Sequence, residues 1–499
     1  VVRFTAPHAG TWTWRTSSAD AGLDGREGRI EVDRPTPEAV VGNPNYRGQL
    51  TISDNGRYFH YADGTPLFLL ADTLWAGNTA RCGLGDHDDG PFFRYLADRK
   101  SKGFSTILIK HLHGFGDIAD NPRGDRNEGG YAFANGDFAR LNPAYFRALD
   151  RRMAAIWEHG LVAAVPTAWW GKTKRCAFDA RWAKRISVYC AVRYGAYNAL
   201  WSLSGEYQYA FRDCGWTPRQ FDELGAAVQA HNPYRRPLSI HPSGRTDWPA
   251  PHNCQSSRPF HRSPWLDHHW LQTGQSVDRM YNIVGRAEEN RKLQPARPVF
   301  CSEAYYDVAG DPDQAYHARW QAWVALLNGC AGYGHGAHGI WQFYDPDDEM
   351  GETGKKDKRV VPWSEALRFE GSGMMQPVAS MLSACRWWLL EPRSDCVLVD
   401  GEPSRGPSAG DLCPPHCAII PGRLFLVYIP RGNRQRTLAL VGLEGRRYRG
   451  RWFNPRNGEW IAVGAGPVDQ DEWTIPNRPR PHDEDWVLLL NDTSRTRSR

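Results

Sequence analysis

The sequence predicts an α/β protein centred on a (β/α)8 TIM barrel, with a partial N-terminal β-sandwich before it and a C-terminal antiparallel β-sandwich after it. Three observations lead there. From residue 48 to 390, eight short apolar runs alternate with longer amphipathic segments. On either side of that span the rhythm shortens to strand-length runs between Gly- and Pro-rich turns. Two of the eight runs, the fourth and the seventh, stop at or just short of a glutamate, as buried parallel strands do when their C-terminal ends carry catalytic groups.

Residues 1–36 read as β structure, with strands expected at 1–4, 10–15 and 29–32. Three strands make a poor independent domain, so the segment is expected to lean on the body of the protein or to be half of a truncated β-sandwich. The chain opens on Val1 without an initiator Met or a secretory signal, as expected of a fragment or processed form. Pro35-Thr-Pro37 reads as a linker. The barrel, 48–390, is expected to have strands at 66–72, 104–110, 161–167, 199–204, 237–241, 266–272, 298–303 and 332–341. Helices are expected between them at 91–102, 143–159, 179–195, 217–231, 276–291 and 312–329. Asn142-Pro143 is a good N-cap and first-turn pair. From 395 to 492 short strands return, at 397–399, 423–429, 437–441, 448–453 and 460–463, with Asn454-Pro-Arg-Asn-Gly458 as a turn.

Composition narrows the function classes. With 41% hydrophobic and 23% charged residues, the chain is an ordered globular protein. It has no apolar run of about 18 residues, so no membrane span is expected. The net charge of +5 comes from scattered Lys and Arg, so nucleic acid is not an expected partner. No GxGxxG or P-loop follows the first barrel strand, which argues against nucleotide chemistry. Twenty-two Trp and twenty Tyr raise the expectation of a carbohydrate ligand, because aromatic faces stack on the apolar faces of sugar rings. The seventeen His show neither HExxH nor another compact ligand spacing, so no metal or other cofactor is expected. Among the eleven Cys, Cys190, Cys301 and Cys330 read as buried small hydrophobes, and Cys413 and Cys417 are near enough to form one local bridge.

In such barrels the working groups sit at the C-terminal ends of strands. Reading those positions gives Asp72 with Trp75, Lys110 with His111 and His113, Trp169 with Trp170, Glu206 with Tyr207, then His241, Gln272, Glu303 and Trp341. Strands four and seven face each other across the mouth, so Glu206 and Glu303 can meet from opposite sides of a glycosidic bond. Glu303 is expected to be the nucleophile and Glu206 the acid/base, with a carboxyl separation of about 5–5.5 Å for retention and about 6.5–9.5 Å for inversion. Asp72, Trp75, Lys110, His113, Trp169, Tyr207, His241, Gln272 and Trp341 are the expected substrate-binding residues. One of Trp169 and Trp170 is expected to pack against its own loop, and only one of His268 and His269 can face the barrel interior. Ser204-Gly-Glu206 lacks the GxSxG elbow of a serine hydrolase.

Four stretches then resemble one known group in order: Leu69-Leu-Ala-Asp-Thr-Leu-Trp75, Lys102-Gly-Phe-Ser-Thr-Ile107, Trp201-Ser-Leu-Ser-Gly-Glu206 and Gly332-Tyr-Gly-His-Gly-Ala-His-Gly-Ile-Trp341. They are similar to the apiosidase-like glycoside hydrolases, glycoside hydrolase family 140 and relatives. Val2-Arg-Phe4 with Gly10-Thr-Trp-Thr-Trp14 resembles the second half of that group's N-terminal β-sandwich. Arg451-Trp-Phe-Asn-Pro-Arg-Asn-Gly458 with Asp485-Trp-Val-Leu-Leu-Leu490 resembles its C-terminal domain, often labelled collagen-binding. The resemblance implies a retaining barrel enzyme with Glu206 as acid/base and Glu303 as nucleophile. It also implies a plant, algal or microbial oligosaccharide or polysaccharide substrate, met outside the cell or in the periplasm. Two departures stand out. The group usually carries Asp where this chain has Glu206, and Tyr-Glu where it has Tyr306-Asp307. The alternative reading is a non-catalytic carbohydrate- or matrix-binding protein on a degenerate barrel.

Overall fold

A computed structural model describes residues 3–112, 126–170, 179–244, 255–347, 359–464 and 467–493. Eight parallel strands form the barrel: Leu69–Thr73, Thr106–Leu108, Val162–Pro166, Ala199–Ser202, Leu238–Ser239, His269–Gln272, Val299–Glu303 and Gly332–Ala337. Their ladders run in the order 5-4-3-2-1-8-7-6. No ladder joins strands five and six. That seam is closed instead by the Asp267 N–H donating to the Leu238 carbonyl (2.8 Å), the Leu238 N–H donating to the Asp267 carboxylate (2.9 Å) and the Ser239 hydroxyl donating to the His268 carbonyl (2.6 Å). Side-chain oxygens thus satisfy backbone groups that a ladder would otherwise pair.

Leu69, Ala71, Leu108, Val162, Ala164, Leu200, Trp270 and Phe300 pack into one buried cluster inside the barrel, where the alanines leave room for the Trp270 indole. Leu50, Phe59, Tyr61 and Leu67 join the same cluster from a small antiparallel sheet, Leu50–Ile52, Phe59–Tyr61 and Pro66–Leu67. The expected strand at 66–72 is therefore two strands. Pro66, which has no N–H to give, lies on the edge of the small sheet, and the barrel strand begins at Leu69.

Helices Pro91–Ser101, Pro143–Glu158, Ala180–Tyr194, Pro218–Ala230, Asn282–Lys292 and Gln314–Leu327 lie between barrel strands at close to the expected positions. Three of them open on proline, where the missing donor leaves no hydrogen bond unmade, and Asn142 caps the second by accepting from the Ala144 N–H (3.0 Å). The 276–291 stretch starts instead as a 3-10 turn at Val277–Arg279.

Among the described N-terminal residues Gly10–Arg15 and Glu27–Val32 pair as an antiparallel hairpin. The first half of the expected strand 1–4 lies outside the described residues, and the expected linker gives way to a helix, Pro37–Gly42, capped by Thr36. An ion pair from Arg3 to Asp150 (2.6 Å) and a hydrogen bond from the Thr5 N–H to the Tyr234 hydroxyl (2.9 Å) tie this end to the barrel.

The C-terminal strands make a six-stranded and a four-stranded sheet. His416–Ile420 and Trp486–Asp492, not placed as strands by turn spacing, belong to the larger one, and Trp486–Asp492 lies at its centre. Leu426, Tyr428, Val487 and Leu489 on one face pack with the Gln314–Leu327 helix, while Phe425, Val427, Trp486 and Leu488 on the other fill the sandwich. A buried ion pair pins the junction. Arg319 forks onto Asp485 (2.8 and 2.7 Å), and the Tyr428 hydroxyl donates to the same carboxylate (2.9 Å). Burial opposes ionisation of Asp485, but Arg319 outweighs it and keeps the carboxyl below its usual range.

The expected Cys413–Cys417 bridge does not form: both thiols are free. Strand His416–Ile420 turns Cys417 into the sandwich core, whereas Cys413 packs beside Gly432. Cys214 is disulfide-bonded.

Candidate active site

Strand four continues to bond beyond its regular end. The His241 N–H donates to the Ser204 carbonyl (3.0 Å) and the Tyr207 N–H donates to the His241 carbonyl (3.1 Å), so strand five grips the chain on both sides of Glu206. Between those bonds Glu206 adopts φ +35°, a region that a residue with a Cβ enters only at a cost. Gly205 is needed for a different reason: a Cβ there would lie 2.1 Å from the Trp169 ring. Trp169 packs against that bare backbone and donates its indole N–H to Glu206 Oε2 (2.9 Å). The Lys110 ammonium lies 4.6 Å from the Trp169 ring centroid, and Trp75 meets the same ring edge-on at 4.9 Å.

Glu303 ends strand seven and is 3% exposed. Its Oε2 lies 2.9 Å from His241 Nε2 and its Oε1 accepts from Gln275 Nε2 (2.6 Å). A carboxylate only accepts, so the His241 proton facing it sits on Nε2. His241 Nδ1 reaches Ser302 Oγ at 3.0 Å, and the rings of Trp75, Trp169 and Trp270 surround the imidazole at 5.6, 5.8 and 5.5 Å. Glu206 and Glu303 are thus joined through two side chains, Trp169 and His241. The buried Tyr306 hydroxyl has no hydrogen-bond partner of normal geometry. Burial, reinforced by the charge of Glu303, holds its pKa well above the ordinary tyrosine value, so it stays a donor.

Eight of the expected site residues are brought to this end of the barrel: Glu206, Glu303, Trp75, Lys110, Trp169, His241, Gln272 and Trp341. Gln272 sits opposite Glu303 across a register shift, with its amide oxygen buried and without a hydrogen bond. Trp341 is half-buried against the same cluster as Trp75, four residues beyond the end of strand eight at Ala337. Trp170 is fully buried and donates its indole N–H to the Leu203 carbonyl past strand four (2.8 Å), and the loop after it lies outside the described residues. His268 accepts from the Trp270 indole (2.6 Å), while His269 turns the other way, toward His261 (3.1 Å). His113 lies outside the described residues.

Two expected sugar-binding residues point elsewhere, because adjacent strand residues face opposite sides of a sheet. Leu69 and Ala71 face the interior, so Asp72 faces outward. It is fully buried and accepts from Arg99 Nε (2.6 Å), the Tyr95 hydroxyl (2.7 Å) and His335 Nδ1 (2.6 Å). His335 Nε2 reaches Asp307 at 3.2 Å. Burial disfavours both charges, yet Arg99 and His335 bring Asp72 down to about 2, and Asp307 and Asp72 raise His335 to about 9. Tyr207 also faces outward. Its ring packs among Phe211, Phe221 and Phe260, and its hydroxyl donates to the Gln255 carbonyl (3.0 Å).

Sequence reasoning missed Gln275, Ser302 and Tyr306. Gln275 stands in a loop past strand six, where no periodicity marks it. Ser302 precedes the nucleophile candidate and Tyr306 follows it by three residues, so distance along the chain from Glu303 was the one signal available.

Residues 53–389 match a family model described as the apiosidase-like catalytic domain, and residues 418–491 match one described as the "putative collagen-binding domain of a collagenase". A solved structure described as a glycoside hydrolase is 20% identical, covers 91% of this chain and 98% of its own, and superposes with a TM-score of 0.72. A glycoside hydrolase family 5 protein from Bacteroides vulgatus is 19% identical, covers 92% of this chain and 96% of its own, and has a TM-score of 0.74. Both likenesses concern the fold. No curated protein matches the chain.

Proposed function

The chain belongs to the apiosidase-like glycoside hydrolase family, and on that premise we propose that it cleaves its substrate by a retaining double displacement. Glu303 attacks the anomeric carbon while Glu206 protonates the departing oxygen. A glycosyl ester forms on Glu303, and Glu206 then takes a proton from the water that hydrolyses it. The observation that carries this reading is the grip on Glu303: His241 and Gln275 each donate to one of its oxygens and so aim the carboxylate. Tyr306 adds a donor beside it, and the Trp169 indole orients Glu206.

Trp75, Trp169 and Trp341 supply apolar faces for a sugar ring, and Lys110 and Gln272 supply polar contacts, which suits an oligosaccharide or polysaccharide of plant, algal or microbial origin. Such a substrate is met outside the cell or in the periplasm, and the disulfide at Cys214 accords with an oxidising compartment. In the C-terminal domain one face of the large sheet is covered by the barrel, which favours a buttress over a matrix-binding surface. Two measurements test the mechanism: the anomer first released from an oligosaccharide panel, followed by NMR, and the mass of intact protein mixed with activated 2-deoxy-2-fluoro glycosides. Retention and a single adduct on Glu303 are expected. First release of the inverted anomer would sink the proposal.

A further inference from the structure

A second cavity lies away from the catalytic carboxylates, between the small antiparallel sheet, the start of strand eight and the C-terminal sandwich. Its volume of about 910 Å³ falls within the roughly 300–1,000 Å³ typical of small-ligand sites. Trp387, Trp388, Arg57, Arg291, Arg405 and His416 are among the residues that line it.

Two of these arginines, Arg57 and Arg291, have no carboxylate in direct contact among the described residues. Arg57 donates to the Arg291 backbone carbonyl (3.1 Å), and neither guanidinium forms an ion pair among the described residues. Burial lowers the pKa of both, and for Arg291 the neighbouring Arg57 lowers it further. Two of the lining carboxylates are already paired, Glu288 with Lys292 of the same lining (2.5 Å) and Asp395 with Arg393 (2.9 Å). Glu391 remains, against three arginines. Two half-buried guanidinia with no carboxylate in direct contact among the described residues, and only Glu391 acting on Arg291 from a distance, keep positive charge that a bound carboxylate would relieve.

The aromatic wall is graded. Trp387 is buried against Tyr58 and Phe68, and Trp388 stands half-buried and edge-on to it at 6.1 Å. The third feature is His416. Asn328 Nδ2 donates to its Nδ1 (3.1 Å), and burial lowers its pKa to about 3, so the neutral ring carries its proton on Nε2, which is buried and has no acceptor.

We propose that this cavity is a second, non-catalytic carbohydrate site for an acidic oligosaccharide, with a uronate carboxylate on Arg57 and Arg291 and a sugar face on Trp388. The choice of a sugar rests on the glycosidase reading above, and the choice of an acidic one rests on the unpaired guanidinia. Such a site would hold a polymer to the enzyme while the mouth works elsewhere along it, raising the effective substrate concentration.

Isothermal titration on the full chain carrying Glu303→Gln tests it. A short oligomannuronate is the probe and a mannan oligosaccharide of equal length is its neutral counterpart. We expect the acidic probe to bind, and its affinity to fall about tenfold or more in Arg291→Gln and in Trp388→Ala. Arg57→Lys, which keeps the charge and loses the fork, should fall between. Arg291 packs across Gly329 and its variant is the most exposed to misfolding, so Trp388→Ala is the deciding case. No binding of the acidic probe, parent-like affinity in Trp388→Ala, or equal losses for the neutral sugar would overturn the proposal. Turnover by the parent chain with Glu303 intact keeps the two readings apart: oligosaccharide cleavage without binding of the acidic probe overturns the second site alone, whereas no cleavage overturns the glycosidase reading.

Discussion

Two constellations of carboxylate and imidazole stand at the C-terminal ends of barrel strands. At strands five and seven, His241 and Glu303 face the interior; at strands one and eight, Asp72 and His335 face the helices. The residue types and the hydrogen-bond lengths are alike. What differs is what surrounds them. Asp72 has every strong donor it can use, and His335 is spent between two aspartates. Glu303 accepts one hydrogen bond of normal geometry on each oxygen, beside a tyrosine hydroxyl and a glutamine oxygen that make none. Asp72 is filled with donors, although Arg99 Nη2 and Asp307 Oδ1 beside it are buried without a hydrogen-bond partner, while Glu303 keeps capacity for a substrate.

Removing the carboxylate from each side separates them most sharply. Glu303→Gln should lower kcat/KM by roughly three orders of magnitude or more while circular dichroism and the unfolding midpoint stay at parent values. Loss of fold in that variant would mean that the inner pair is structural too. Asp72→Asn should do the reverse. It leaves buried Arg99 with only Asp98 and buried His335 with only Asp307, at a cost of about 3–5 kcal/mol in chemical denaturation, with turnover per folded molecule preserved. A stable but inactive Asp72→Asn would erase the distinction.

Gly205→Ala probes how the inner site is held. A methyl 2.1 Å from the Trp169 ring must move the indole, and with it the donor to Glu206. A fall of about tenfold to a hundredfold in turnover is expected, smaller for substrates whose leaving group needs no protonation. Equal losses on both substrate kinds would disconnect Trp169 from the acid/base.

The smallest effect is in pH. His335 is raised to about 9, so its contribution to stability is complete below the ordinary imidazole value and is lost as pH rises through about 9. Asp72, held down at about 2, contributes above the ordinary carboxyl range, and its share is lost only as pH falls toward 2. Denaturation curves between pH 7 and 10 should therefore show falling stability, and His335→Gln should flatten that limb. An unchanged slope would show that the outer histidine is not held charged.

Sequence reading located the barrel helices to within a few residues because their apolar spacing and proline starts are local signals. It placed the strands less well. Pro66–Leu67 was fused with the barrel strand after it, and Trp486–Asp492 was recognised only by resemblance, since an unbroken apolar run has no period to read. The same blindness explains Asp72 and Tyr207. Each follows a run that is buried on both faces, so nothing in the pattern says which neighbour turns inward.

By itself, the sequence determined the alternation of eight strands with helices and the glutamates that close the fourth and seventh. Those features depend on local period and on chain order alone. Tertiary structure decided the rest of the site. The bare Gly205 backbone under Trp169, the His241 bridge and the Gln275 donor each join residues from different strands or loops. Such contacts arise only when the barrel closes and brings its strand ends within hydrogen-bond reach, a distance that no spacing along one chain encodes.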